Sequence, residues 1–347
     1  MAKGSDGRFI GCRNPFFSGR RKMIMEMSAI RVSRIGAFEW TTVPLRDIGE
    51  DEVLIEVEVT GLCRTDLKLI RVGHRDLTLP RIPGEEVVGI VRKTGGSVKG
   101  VLEGRRVYVY PGVWCGRCPA CRRGAENLCR QMQIMGFHRD GGFAQYVIAP
   151  AGSLIPVPEG LDAELAVFAE PLSCCLNALE LACVGRGDAV GIWGAGPAGT
   201  LLSRAAAAMG AEPLCMEPDD RRRRMAKGVP GPEGRKFDVC IVAVGSNHAY
   251  EEALAALNPR GRLVVFAGLS PSDDVLPVSF NQLHYHEQTL VGAYGCSFRH
   301  GVRALRFIAT GAVTVRDMIS HRMALSDLDE ALRIVENRSG MKILLYP

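Results

Sequence analysis

Ala189-Val-Gly-Ile-Trp-Gly194-Ala-Gly196-Pro-Ala-Gly199 is a short apolar run that ends in a glycine-rich turn and opens an Ala-rich stretch, Thr200 to Met209. A buried strand, a tight turn and a helix are the reading that fits. Gly194 permits the turn, Gly196 lets the backbone approach a pyrophosphate, and Gly199 lets helix and strand pack closely, while the helix N-terminus receives negative charge. These residues point to a dinucleotide site, to which Val244 and Gly245, after the strand Val239 to Val244, are added as cofactor contacts.

Working outward, Leu214 to Glu217, Val239 to Val244, Leu263 to Ala267 and Thr289 to Val291 read as parallel strands separated by helices, a doubly wound α/β unit. Glu217, at the end of its strand, falls where a carboxylate binds ribose hydroxyls and repels a 2′-phosphate, which favours NAD over NADP. The run Arg221 to Arg224 is the competing signal: it either embraces a phosphate or is a solvated helical turn capped by Asp219 or Asp220. Only roughly 20 residues separate Glu217 from the next strand, enough for one helix but not for helix, strand and helix, so an edge strand on the adenine side is expected to be missing. Upstream, Ala29 to Pro158 is a succession of strands and turns: Glu52 to Val59 alternates, Val87 to Val91 and Arg106 to Tyr110 are apolar runs, and Phe143 to Ala149 follows the turn Asp140-Gly-Gly142. A helix is expected over Ser173 to Val184. The C-terminal part reads as helices at Gly301 to Thr310 and Asp327 to Asn337, the latter capped by Ser326 and ended by Gly340, then a strand Ile343 to Tyr346.

Cys115-Gly-Arg-Cys118-Pro-Ala-Cys121, followed by Cys129, places four thiols in a polar loop. That spacing suits a closed tetrahedral zinc, which shapes a loop and catalyses nothing. The other cysteines, among them Cys174, Cys175, Cys183, Cys215, Cys240 and Cys296, lie in apolar runs and read as buried free thiols of a reducing compartment, with cytoplasm the default.

The chain has 347 residues, 47% hydrophobic and 23% charged, which suits about two domains. The +5 net charge is concentrated at Arg8 to Lys22 and Arg221 to Arg224, away from stacking aromatics, so nucleic acid is not an expected partner. No apolar run is long enough to span a membrane. Residues 1–28 lack periodicity and read as a disordered tail or an upstream start.

Cys63-Arg-Thr-Asp66, Gly84-Glu-Glu86, Gly136-Phe-His-Arg-Asp-Gly-Gly-Phe-Ala-Gln-Tyr146 and Glu170-Pro-Leu-Ser173, in this order, resemble the zinc-containing medium-chain alcohol dehydrogenases, most of all their polyol, sugar and threonine dehydrogenase branch. The resemblance spans Ala29 to Pro347. It implies a β-rich GroES-like catalytic domain, residues 29–173 and 299–347 with the cysteine lobe at 112–130, and a Rossmann coenzyme domain, 174–298, shortened by about one strand. It also implies hydride transfer between NAD(H) and a secondary alcohol or ketone, a small molecule, with a catalytic zinc as Lewis acid, and a homo-dimer or homo-tetramer. Cys63, Glu85, Glu86 and Glu170 stand as catalytic metal ligands by that resemblance, Thr65 as the hydroxyl taking the alcohol proton, Arg64 as a cofactor-phosphate contact and Asp66 as a carboxylate behind the metal.

Two positions depart from the family. Glu85 stands where the family has histidine, which crowds Cys63, Glu85 and Glu170 around one cation, blunts its Lewis acidity and opens the site to Mn²⁺ or Fe²⁺. Lys68 replaces a frequent histidine at the end of the proton relay. His74 and His138 read as surface or substrate-lining groups, His284 and His286 as interface or surface groups on an extended segment. Two other functions stay open: a zinc-free reductase of an activated C=C or carbonyl, and a non-enzymatic dinucleotide-binding protein.

Overall fold

The computed structural model describes residues 25–101, 103–270, 272 and 274–347. Its larger sheet runs in the order Ile319–Ala324, Lys342–Tyr346, Glu52–Leu62, Glu86–Thr94, Arg106–Val109, Leu154–Pro156, with Tyr146–Pro150 also paired to Glu52–Leu62. The alternation of Glu52–Leu62 puts Val53, Ile55 and Val57 against Val87, Val91 and Val107 in one apolar layer. A hairpin, Glu26–Arg34 with Ala37–Pro44, closes a second layer through Ala29, Ile30 and Val32. Glu26, Met27 and Ser28 therefore belong to a strand, which corrects the end of the expected 1–28 tail; residues 1–24 lie outside the described residues.

The second sheet is parallel throughout, in the order Glu212–Met216, Ala189–Trp193, Phe237–Val242, Leu257–Val265, Thr289–Gly292. It ends at Glu212–Met216, so the expected loss of the outer strand is borne out. In its place the backbone of Val229 makes one parallel bridge to Met216, donating to the Cys215 carbonyl at 2.9 Å and accepting from Glu217 N–H at 2.9 Å. Gly228 permits this contact, because a Cβ there would come 2.5 Å from the Cys215 carbonyl oxygen.

The helix Ala169–Leu181 joins the two sheets. It packs on Phe298–Ala309 and on Pro197–Ala208, and its Leu172, Leu176 and Leu179 are fully buried in a core that draws on both sheets.

Several local expectations change. The helix expected at Ser173 to Val184 begins at Ala169, so Glu170 lies in its first turn. Ser326 does not cap the C-terminal helix, which is Leu328–Glu336 with Asp327 at the cap position and Asn337, not Gly340, at its end. His284 and His286 sit on a helix, Phe280–His286, and not on an extended segment; the Ser279 side chain accepts from Gln282 N–H and starts that helix. Cys183 is exposed at positive φ, where a buried thiol was expected.

Candidate active site

The glycine-rich turn has the shape its sequence requires. Gly194 adopts a φ of +100°, a Cβ on Gly199 would overlap the Gly194 carbonyl oxygen, and one on Gly196 would come 2.5 Å from Arg222 Nη2. Pro197 begins the helix Pro197–Ala208, whose free N–H groups face the turn. Glu217 is buried, accepting from Ala195 N–H at 2.9 Å and Asp219 N–H at 3.3 Å, so it braces the turn. Val244 lies against Gly194, and Gly245 approaches the Gly268 carbonyl. The arginine run forms the helix Asp220–Ala226, with Asp219 as its cap; Arg222 turns inward, its Nε 3.9 Å from Glu217. This cradle, which a Cβ would fill, fits a dinucleotide.

Opposite it, the helix Arg64–Arg71 starts at Cys63. Asp66 Oδ2 accepts from Cys63 N–H at 3.0 Å and from Cys63 Sγ at 3.1 Å, fixing the thiol at the helix N-terminus. Arg64, Thr65 and Lys68 are exposed on this helix, with Thr65 and Lys68 one turn apart. Burial lowers the Arg64 pKa, and Arg338 and Arg222 lower it further. The charges of Arg64, on this helix, and of Arg222, which reaches beside Gly196, thus feel one another.

Around Cys63 lies a cluster of acids, of which Asp66 and Glu86 are wholly buried and Glu85 and Glu170 partly so. Burial, and then Asp66 and Glu86, push the Cys63 thiol up. Burial and then Glu170 push Glu85 up. Burial and then Glu86 push Glu170 up to about 8, and burial pushes Asp66 up to about 6. Lys342, itself buried, ion-pairs with Glu86. Burial pulls the Lys342 pKa down, but Glu86 and Cys63 hold it above its ordinary value. Glu86 is thus committed to Lys342 rather than turned to a metal. So many acids around a single ammonium are a donor set that a divalent cation fits, because without one they keep their protons to avoid crowded negative charge, and a bound cation takes the place of those protons.

Among the described residues, two groups of at least three side chains bring one ligand atom each within 4.8 Å of one another: Cys115, Cys118, Cys121 and Cys129, and Glu170, Cys174 and Cys296. Cys63 and Glu85 are in neither. In the first group Cys129 Sγ accepts from Cys115 N–H at 3.4 Å and Gln131 N–H at 3.3 Å, and backbone N–H groups of Cys121 and Arg130 draw Cys118 down to about 6. Amide donors aimed at sulfur favour thiolate, so this lobe fits a structural zinc. His74 and His138 each turn Nδ1 toward a backbone N–H, of Asp76 and Ile134, and the His74 ring also meets the edge of Phe137 at 5.0 Å between centroids.

Cys174, Cys296 and Lys342 are the site residues that the sequence reading missed. Cys174 carries a signal, one helical turn after Glu170; Cys296 carries none, since it reaches the site 123 residues after Ser173.

The alcohol dehydrogenase GroES-like domain matches residues 49–159, and the zinc-binding dehydrogenase domain matches 232–310. The chain belongs to the zinc-containing medium-chain alcohol dehydrogenases. It is 32% identical to L-threonine 3-dehydrogenase of Pyrococcus horikoshii, over 86% of this chain and 92% of that one. It is 30% identical to sorbitol dehydrogenase of Bacillus subtilis, over 88% and 93%. Among solved structures, a zinc-binding dehydrogenase from Sinorhizobium meliloti bound to NADP is 31% identical with a TM-score of 0.84, covering 93% of this chain and all of that one (100%). As a member of the family, this dehydrogenase is an NAD(P)-dependent oxidoreductase acting on CH–OH groups, with zinc and a nicotinamide nucleotide as cofactors. Among its described residues no helix is long and apolar enough to cross a membrane.

Proposed function

We propose that this dehydrogenase interconverts a secondary alcohol and its ketone on a polyol, sugar-acid or amino-alcohol skeleton. The observation that carries this reading is the glycine-rich turn from Gly194 to Gly199, which a Cβ would fill, in one chain with the acids gathered around Cys63. The relatives named for threonine and sorbitol support the substrate class.

When bound, zinc polarises the alcohol oxygen and the nicotinamide takes the hydride. Gly196, the helix Pro197–Ala208 and Arg64 hold the pyrophosphate by amide donors and charge. Thr65 accepts the alcohol proton at its hydroxyl oxygen as its own hydroxyl proton passes outward to solvent, where Lys68, one turn on and exposed, exchanges protons with water. Glu85 and Cys63 line the cleft, and Glu170 supplies a carboxylate donor to the cation. Glu217 at the ribose side supports NAD, whereas Arg222 beside it is the group an NADP would use; a lower kcat/KM for NADP than for NAD, reversed toward NADP in Glu217→Ser, is the expected outcome.

The test is NAD reduction with polyols, sugar acids and threonine. Turnover of a secondary alcohol that stops on chelation and returns with zinc supports the reading. Reduction of an enone by NADPH that survives loss of the cleft metal overturns it.

For partners, we propose a second copy of the chain, docked along Thr289–Gly292. This strand pairs on one side only, and Phe280 and Tyr285 beside it are 83% and 76% exposed.

A further inference from the structure

The thiols of Cys174 and Cys296 have no part in the chemistry above, yet they converge on Glu170. Cys174 lies four residues along the same helix, which brings its Sγ to 3.5 Å from Glu170 Oε1. Cys296 comes from the other sheet, on the loop after Thr289–Gly292, and is buried.

That loop is held by side chains from three other segments. Tyr110 donates its hydroxyl to the Cys296 carbonyl at 2.7 Å, Asn177 Nδ2 donates to the Gly295 carbonyl at 2.9 Å, and Asn127 Nδ2 donates to the Tyr294 carbonyl at 2.7 Å. Ser173 Oγ donates to the Glu170 carbonyl at 2.6 Å and stands 2.8 Å from Cys296 Sγ, which links the loop to the first turn of the helix. Such support goes beyond what a packing cysteine needs, and resembles the hydrogen-bonded surroundings that orient metal ligands. Cys63, by contrast, has its thiol on Asp66.

We infer that Glu170, Cys174 and Cys296 form a three-donor site for a zinc-class cation, and that they hold the cleft metal in place of a set built on Cys63 and Glu85. Two thiolates and one carboxylate suit zinc, and three protein ligands leave a fourth position for the alcohol oxygen. The substitution of histidine by Glu85 then costs the enzyme no ligand, because Cys296 supplies the third donor from the coenzyme side. The inference rests on the proposed alcohol chemistry only for the use of the open position; metal binding stands without it.

The test is zinc content of the purified full-length chain, with NADH binding as a check on folding. Wild type is expected to hold about two zinc ions, one in each cluster. Cys174→Ser and Cys296→Ser should each fall to about one while still binding NADH, and Cys63→Ser should keep about two. X-ray absorption of the wild-type zinc protein gives a reading free of variants: about three sulfurs per zinc on average for this site, against about 2.5 if Cys63 is the one cleft thiolate. Loss of zinc in Cys63→Ser with retention in the other two variants overturns the inference, as does retention in all three, an average near the lower sulfur count, or a wild type with only the lobe zinc. Zinc lost as expected from Cys174→Ser and Cys296→Ser, in a protein whose two-zinc wild type oxidises no alcohol, would sink the proposed function and leave the inference standing.

Discussion

Glu86 and Lys342 show how one buried pair sets the character of a cleft. Both are almost wholly inaccessible, and Glu86 lies beneath Gly61, where a Cβ would overlap its carboxylate. The pair contributes little net stability by itself, but removal of one partner strands the other charge. Lys342→Met is therefore expected to destabilise the fold by about 3–5 kcal/mol, and the double variant Lys342→Met with Glu86→Gln by less. Denaturant unfolding of the three proteins measures the difference. At Gly199 the argument is steric: Ala cannot fit beneath the Gly194 carbonyl, so Gly199→Ala should weaken NADH binding at least tenfold by fluorescence titration, with the cysteine-lobe zinc retained.

At the scale of elements, Glu52 ties the start of a central strand to two loops. It accepts from Arg46 at 2.5 and 2.8 Å, from Arg139 at 2.9 Å and from Gly49 N–H at 2.9 Å. Arg46 first, then Gly49 and Arg139 against the opposing effect of burial, draw its carboxyl down to about 2. Because the folded pKa is depressed, this stabilisation is present above the usual value of about 4.3 and is lost as pH falls toward about 2. Glu52→Gln should cost about 1 kcal/mol at neutral pH, discounted because Arg46 is half exposed, and should flatten the acid limb of a stability-against-pH curve. The cysteine lobe acts on its neighbours in a similar way. Between Cys121 and Cys129, Glu126 accepts from Phe298 N–H at 2.8 Å and Asn127 donates to Tyr294. Zinc at the lobe therefore steadies the loop that carries Cys296. Stripping the lobe metal should speed hydrogen exchange at residues 293–298 while exchange in Ala189–Trp193 stays unchanged.

At the scale of the molecule, the unpaired side of Thr289–Gly292 is the feature that a lone chain leaves open. Leu290 and Val265 are each 42% exposed there. If a second copy covers this edge, Leu290→Lys should convert the dimer to monomer in light scattering, with NADH binding retained in the monomer. A wild type that runs as a monomer at micromolar concentration would refute the proposal.

Local periodicity and glycine spacing made most of this architecture legible, because each signal lies within one turn or one strand. The strand Ala189–Trp193, the turn from Gly194 to Gly199, the four-thiol lobe and the missing outer strand all follow from residues close in sequence and from the length of chain between them. Glu170 and Cys63 were legible as site residues through their motifs. What only the tertiary structure decided is who meets whom: that Glu86 faces Lys342, that Arg222 turns inward to Gly196, and that Cys296 crosses to Glu170 and Cys174. Glu86 and Lys342 meet across the strand Glu52–Leu62 of one sheet, Arg222 reaches from the helix after Glu212–Met216 to the turn after the neighbouring strand Ala189–Trp193, and Cys296 reaches Glu170 where the two sheets pack around the helix Ala169–Leu181. Sheet pairing and packing make these contacts, and no sequence period extends over the chain between them.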